Sequence, residues 1–260
     1  MIFRMELRFS WKSYLTWIFS ILIFLGLFMA VYPAFEKESE TFRAVVENIP
    51  AALLQGFGVD LNTIFSPLGF LSYLYGIIQL LLGLSGFLFG LRLIGREKIY
   101  RSMSFLFAKP VAWTKIFLEK MAVGLIAVLA TNSSIYLLWL LFRQMMKLDG
   151  AGIEQMLATG LILQLFMLIL GSFFAVVVKR LENPIGLASG VTMSLYIIHI
   201  IGRVTELKFL HQFSPFYYVD PVRQLSEGWS IRDNAILFGG ALLLLGIAFV
   251  GYVKRDKEEI

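Results

Sequence analysis

The sequence predicts an all-α integral membrane fold: six transmembrane helices, both termini cytoplasmic, and an N-terminal interfacial helix. Three observations carry this. First, six stretches run 20 residues or more without Asp, Glu, Lys or Arg: Ser13–Phe35, Leu61–Leu91, Met121–Phe142, Gln155–Val178, Asn183–Gly202 and Asn234–Val253. A helix rises about 1.5 Å per residue, so each can cross a hydrocarbon layer of roughly 30 Å. Second, 58% of the 260 residues are hydrophobic, above the roughly 45–50% of ordinary globular domains. Third, the basic residues are unevenly placed. With the N-terminus inside, 15 of the 23 Lys and Arg fall on the cytoplasmic side, leaving that side about +8 and the outside about −3. Cytoplasmic loops carry the excess of Lys and Arg, so this orientation is preferred over its inverse.

The chain reads as one transmembrane domain, residues 1–260, with spans at about 15–35, 67–91, 121–142, 155–178, 184–202 and 234–253. Little is left for a separate soluble domain. The net charge of +5 is interleaved with the spans, so lipid headgroups rather than nucleic acid are its partners. There is no Cys, which removes disulfides and thiolate metal sites. The first span exceeds a signal-peptide core and lacks an A-x-A site after it, so it is read as retained.

Residues 1–14 place Arg4, Arg8 and Lys12 on one helical stripe, as in a helix lying in the membrane interface, or as a plain anchor that keeps the N-terminus inside. The first outer loop is acidic at Glu36, Glu38 and Glu40 and then apolar, with Pro50, Gly56 and Gly58 interrupting it. Residues 92–120 form the longest and most basic cytoplasmic segment. The second span's helix is expected to continue through Arg96 and Glu97. Pro110 disfavours helix at Lys109 and suits the first turn of a new helix. Met103, Phe105, Leu106 and Phe107 are apolar beyond what a solvated loop needs, and so want a groove in this chain or in a partner. Residues 203–233 are aromatic and amphipathic, with Pro215 and Pro221 as breakers. They suit short helices at the outer interface.

Polar residues inside the spans are few. Thr131, Asn132, Ser133 and Ser134 sit mid-span, with Gln79, Gln164 and His199 in others. Hydrogen bonding between helices is their default use; Gln79, Gln164 and the Thr131–Ser134 group are also candidates for lining a path. Gly86/Gly90 and Gly186/Gly190 are two GxxxG pairs, a pattern that permits close helix approach. No acid or base lies mid-span, where ion-coupled carriers need a relay. No GxxxxGK[ST] loop is present, so the chain has no ATPase site of its own.

Two local patterns stand out. One is Arg96-Glu97, then Phe105-Leu106-Phe107-Ala108-Lys109-Pro110-Val111, then Lys120. The other is Ser214-Pro215-Phe216-Tyr217-Tyr218-Val219-Asp220. With the span order, they resemble the type-2 ABC exporter permeases, and the resemblance covers essentially the whole chain. It departs where the family's G-T-L-E reads Arg101-Ser102-Met103-Ser104 and where S-R after Pro-Val reads Ala112-Trp113.

The resemblance implies a permease subunit of an ATP-driven exporter in the bacterial cytoplasmic membrane. It would pair with a second permease copy or a homologous one and dock two separate ATPase subunits, which bind the ATP and Mg. Segment 92–120 would couple them through Arg96, Glu97, Arg101, Met103, Phe105, Leu106, Phe107, Lys109, Pro110 and Lys120. Ser214, Pro215, Phe216, Tyr218 and Asp220 would form an outer gate. An ion- or proton-coupled secondary carrier, and a non-transporting membrane sensor or enzyme, are the competing readings. The only conceivable catalytic cluster is His199, Glu206 and His211, which have no recognisable spacing.

Overall fold

A computed structural model describes residues 2–59, 63–100, 112–146, 153–205, 208–228 and 230–254. Among them, the ordered elements are helices. They are α1 (Ile2–Lys37), α2 (Ser39–Val46), α3 (Ala51–Gly56), α4 (Pro67–Ile99), α5 (Trp113–Met146), α6 (Ile153–Val177), α7 (Pro184–Val204), α8 (Lys208–Gln212), α9 (Pro215–Tyr218), α10 (Pro221–Glu227) and α11 (Ile231–Lys254). Six of these, α1, α4, α5, α6, α7 and α11, are long and apolar enough to cross a membrane.

Local sequence sets several starts. Ser66-Pro67, Asn183-Pro184, Ser214-Pro215 and Asp220-Pro221 each place a capping side chain before a proline. The Ser66 hydroxyl accepts from the Gly69 amide, and the Asn183 side chain from Gly186. Ser214 caps Phe216, and Asp220 caps Val222 and Arg223. A proline in the first turn gives up an amide that had no partner there anyway. Pro215 and Pro221 therefore begin helices as well as ending what precedes them.

The basic N-terminal stretch is helical, and it runs without a break into the first span as one 36-residue helix. At 1.5 Å per residue that is about 54 Å, well beyond the hydrocarbon thickness. Arg4, Arg8 and Lys12 are exposed, whereas the opposite stripe, Ile2, Glu6, Ser10 and Tyr14, is buried. Helix α4 does continue through Arg96 and Glu97, ending at Ile99.

Helix α4 is the hub, the most buried of the six. Its closest partner is α6, and glycines explain why. A Cβ on Gly90 would fall on the Leu168 carbonyl, one on Gly171 on the Phe87 carbonyl, and one on Gly86 within 2.5 Å of the Gln164 carbonyl. Absent side chains let the two backbones meet, which is how small residues drive helix association in lipid. The Gly86/Gly90 pair is thus a packing motif. Gly186/Gly190 is not one within this chain: nothing lies within 4 Å of a Cβ on Gly190, and one on Gly186 meets only its own Asn183 cap.

Helix α11 packs on α6 and α5, and α1 packs on α5 and α4. The rings of Trp113 and Tyr252 lie 5.7 Å apart, so the start of α5 and the end of α11 share one end of the bundle with the start of α1. This is the basic end. The short helices α8 to α10 fold over the other, the cap end.

Candidate functional site

At the basic end, α4 carries a run of cations just past its apolar stretch, and each has a partner on another element. Arg96 Nη1 lies 2.6 Å from Glu6 Oε2 of α1, and its Nη2 donates to Ser10 Oγ at 2.9 Å. Lys120 of α5 is fully buried. Its Nζ donates to both Glu97 oxygens, at 2.6 and 2.7 Å, and to the Leu93 carbonyl at 2.7 Å. Glu6 Oε1 is 3.6 Å from the same Nζ. Two acids and two bases therefore close a neutral cluster joining α1, α4 and α5. Burying charges is costly unless they are paired, and here each acid meets a base.

Three further bonds extend the brace. Lys98 Nζ donates to the Val176 carbonyl at 3.2 Å and to the Val178 carbonyl at 2.5 Å. A cation at the last carbonyls of α6 meets the negative end of that helix. The Phe3 amide donates to Glu119 at 2.8 Å. Four spans are thus fastened around residues 93–98.

Of the coupling residues read from the sequence, Arg96, Glu97 and Lys120 come together here. Glu97 and Lys120 face each other inside the brace rather than the surface. Arg101, Met103, Phe105, Leu106, Phe107, Lys109 and Pro110 lie outside the described residues. Sequence reading missed Glu6, Ser10 and Lys98. The one available signal was an acid lying opposite the basic stripe of the N-terminal helix.

In the middle of the bundle, Gln164 links three helices. Its Oε1 accepts from Asn132 Nδ2 of α5 at 2.7 Å, and its Nε2 donates to Ser85 of α4 at 3.0 Å. Gln79 Nε2 donates to Thr159 Oγ1 and to the Val219 carbonyl, both at 2.7 Å. Such bonds contribute about 0.6–2 kcal/mol each. Thr131 bonds back to the Ala127 carbonyl and Ser134 to that of Ala130, while Ser133 is exposed.

At the cap end, the Ser214–Asp220 motif is pinned at every turn. Ser214 Oγ donates to the Leu195 carbonyl of α7 at 2.8 Å. Phe216 is buried, and its ring reaches within 3.0 Å of where a Cβ on Gly83 would lie. Val219 accepts from Gln79, as above. The Tyr218 hydroxyl donates to the Gln212 carbonyl at 2.9 Å. Asp220 Oδ1 caps α10, and its Oδ2 takes Arg203 Nη2 at 2.6 Å. Arg203 also sits against Gly58, whose φ of +73° and lack of a side chain let the guanidinium pack there. A second latch joins Arg223 of α10 to Asp233 of α11.

His199 and His211, from α7 and α8, face each other with Nδ1 and Nε2 3.0 Å apart. His199 Nε2 is 3.7 Å from Asp220 Oδ2. Under this cap lies a cavity of about 250 Å³, walled by Tyr73, Gln79, Tyr196, His199, Arg203 and Phe216 among others. Four groups the sequence left apart, Gln79, His199, Arg203 and Asp220, thus share one neighbourhood. Arg203 carried no sequence signal, because an arginine just past a span reads as a boundary.

The cap has a pH signature. Burial lowers His211 below its ordinary 6.5, and Arg203 and Arg223 lower it further against the pull of Asp220. Burial would raise Asp220, but Arg203 and His199 override it and hold the carboxyl below 3.8. A histidine held neutral by folding contributes stability that is full above pH 6.5 and declines as pH falls through that value; the depressed carboxylate keeps its contribution until pH drops below about 3.9. Between pH 7.5 and 5 the melting temperature should therefore fall, in part through His211. His211→Asn should reduce that slope, as read by thermal shift in detergent.

Six apolar helices with charged groups gathered at the two ends define a multi-pass membrane protein, and among the described residues the central interface is built from neutral side chains such as Gln164, Asn132 and Ser85. The family model described as ABC-2 family transporter protein matches residues 1–256. The chain belongs to that family and is a membrane permease of the ABC transporter class, whose members lack an ATPase domain of their own. No curated protein and no solved structure matches it.

Proposed function

We propose that this permease is the membrane half of an ATP-driven exporter of the bacterial cytoplasmic membrane, with its basic end in the cytoplasm. Two separate ATPase subunits, binding ATP and Mg, would dock on segment 92–120. The single observation that carries this is the brace. The coupling segment leaves α4 at Tyr100 and rejoins α5 near Ala112, and both helices are tied at that level through Glu97 and Lys120. A displacement of residues 101–111 therefore enters two spans at once, and through Glu6 a third. Glu97 and Lys120 serve as stiffeners, while the apolar Met103, Phe105, Leu106 and Phe107 supply the contact with the motor.

The excess of basic residues supports a cytoplasmic basic end. The cap, with Phe216 seated on Gly83 over the outer cavity, would close the outer mouth of the path. Gln79, which holds both Thr159 and the cap backbone, would relay movement of the spans to it. Exposed apolar faces on α1, α5, α7 and α11 are shared between lipid and a second permease copy or a homologue. A secondary carrier is disfavoured by the missing mid-membrane charge.

The test is co-purification. The tagged permease should retain its co-expressed ABC ATPase subunit, and Phe105→Asp or Phe107→Asp should abolish that retention without loss of the permease itself. An ATPase complex unaffected by both changes would refute the coupling role.

A further inference from the structure

Helix α1 packs on α5 and α4, and α7 packs on α4. This leaves a recess between α1 and α7 with α4 as its floor. Two cavities occupy it. The first, about 310 Å³, is walled by Ser10, Ser13, Tyr14, Arg92, Arg96 and the first turn of α7. The second, about 350 Å³, continues along Thr16, Trp17, Ser20 and Leu88. Ser13, Arg92 and Ile185 belong to both walls. No carboxylate lines either.

Three features of the first cavity point to an anion. Arg92 has Ser13 Oγ at 3.2 Å as its hydrogen-bond partner and no ion pair among the described residues. It is the first charge after the apolar run of the second span, and so lies at headgroup depth. The Tyr14 hydroxyl is buried, its residue only 7% exposed; the Ser10 hydroxyl, which already accepts from Arg96, lies beside it as a hydrogen-bonding neighbour. The 21-residue helix α7 begins here and presents the positive end of its dipole, although Pro184 has no amide and the Gly186 amide is taken by Asn183. Arg96 adds a second guanidinium, already balanced by Glu6.

We propose that this recess binds a phosphate ester, the headgroup of an anionic phospholipid of the basic-end leaflet, between Arg92, Tyr14 and the N-terminus of α7. The phosphate takes the guanidinium fork and the tyrosine O–H. The start of an acyl chain runs past Trp17, Leu88 and Ile185 toward the hydrocarbon. The shape fits a lipid better than free phosphate, because the second cavity continues the first along the spans.

The site is independent of ATPase docking and is read on the full-length permease alone. The protein is reconstituted in phosphatidylcholine nanodiscs doped with phosphatidylglycerol, and retained lipid is counted by native mass spectrometry. Wild type should keep a phosphatidylglycerol adduct. Arg92→Gln should weaken retention roughly tenfold or more, and Tyr14→Phe roughly two- to tenfold, the usual ranges for charged and neutral hydrogen bonds. Ile185→Trp, on an exposed position, should block both cavities while leaving every phosphate-binding group in place. It also serves if Arg92→Gln fails to fold. Retention unchanged in Ile185→Trp, or in a folded Arg92→Gln, would overturn the proposal. Inorganic phosphate should not displace the adduct; displacement would assign the site to soluble phosphate and overturn the lipid.

Discussion

Replacing Lys120 with Met should lower the melting temperature of the purified permease by about 10 °C. The ammonium is fully buried and faces Glu97 and Glu6. Without it, Glu97 loses its ion pair and remains buried beside a second carboxylate. Breaking a buried pair from one side typically costs about 3–5 kcal/mol, and a protein of this size loses about 2–4 °C per kcal/mol. The double change Lys120→Met with Glu97→Leu should recover most of the loss, because an apolar pair of similar volume is often as stable as the ions it replaces. That recovery separates a charge effect from a packing effect. If the brace transmits force through its ionic contacts, as proposed, the double variant should still transport poorly. Thermal shift in detergent reads the first part and vesicle transport the second.

Gly90→Leu should disrupt the bundle, and Gly190→Leu should not. A Cβ on Gly90 meets the Leu168 carbonyl and, at 2.8 Å, the Ser172 amide nitrogen. These are backbone atoms and cannot rotate away. Overpacking a core usually costs about 1–3 kcal/mol because side chains shift; here α4 and α6 must separate, so the loss should exceed that range. The separation would also break the Gln164–Ser85 bond. Gly190 has open space around it, and an exposed change of this kind usually stays within about 0.5 kcal/mol. Melting of the two variants side by side checks the contrast. A Gly190→Leu protein that melts normally yet fails to form its permease pair would place α7 in that pairing.

Much of this fold was legible because lipid imposes a coarse rule: a charge-free run long enough to span must be a helix. Six such runs became six helices. The starts at Pro67 and Pro184 were readable to the residue, since each follows a capping Ser or Asn. The start of α1 was not: a basic, mixed segment gives no stop signal, so its continuity with the span emerges only from the packing of Ile2, Glu6, Ser10 and Tyr14. The two GxxxG pairs look alike in sequence, yet only Gly86/Gly90 meets a partner helix, because a motif says nothing about what lies opposite.

The residues with motif context that the sequence singled out, Glu97, Lys120 and Ser214–Asp220, lie in the brace and in the cap; Glu6 and Arg203, which join them there, had no such context. The partners of Glu6, Arg96 and Lys120, lie 90 and 114 positions away, and Asp220, the partner of Arg203, lies 17 away. Long-range ion pairs leave no local pattern. The polar residues mid-span were visible as exceptions, but whether Gln164 would face a path or a neighbour depended on which helices were adjacent. It bonds to two of them.

The central claim is that segment 92–120 lies in the cytoplasm, where a motor can reach it. The chain has no native cysteine, so single cysteines at positions 105 and 107 can be labelled against a clean background. An impermeant maleimide should leave both unmodified in intact cells and modify them after permeabilisation, while a cysteine at position 209, in the cap, should react in intact cells. Labelling of 105 and 107 in intact cells, with 209 protected, would invert the topology and contradict the account.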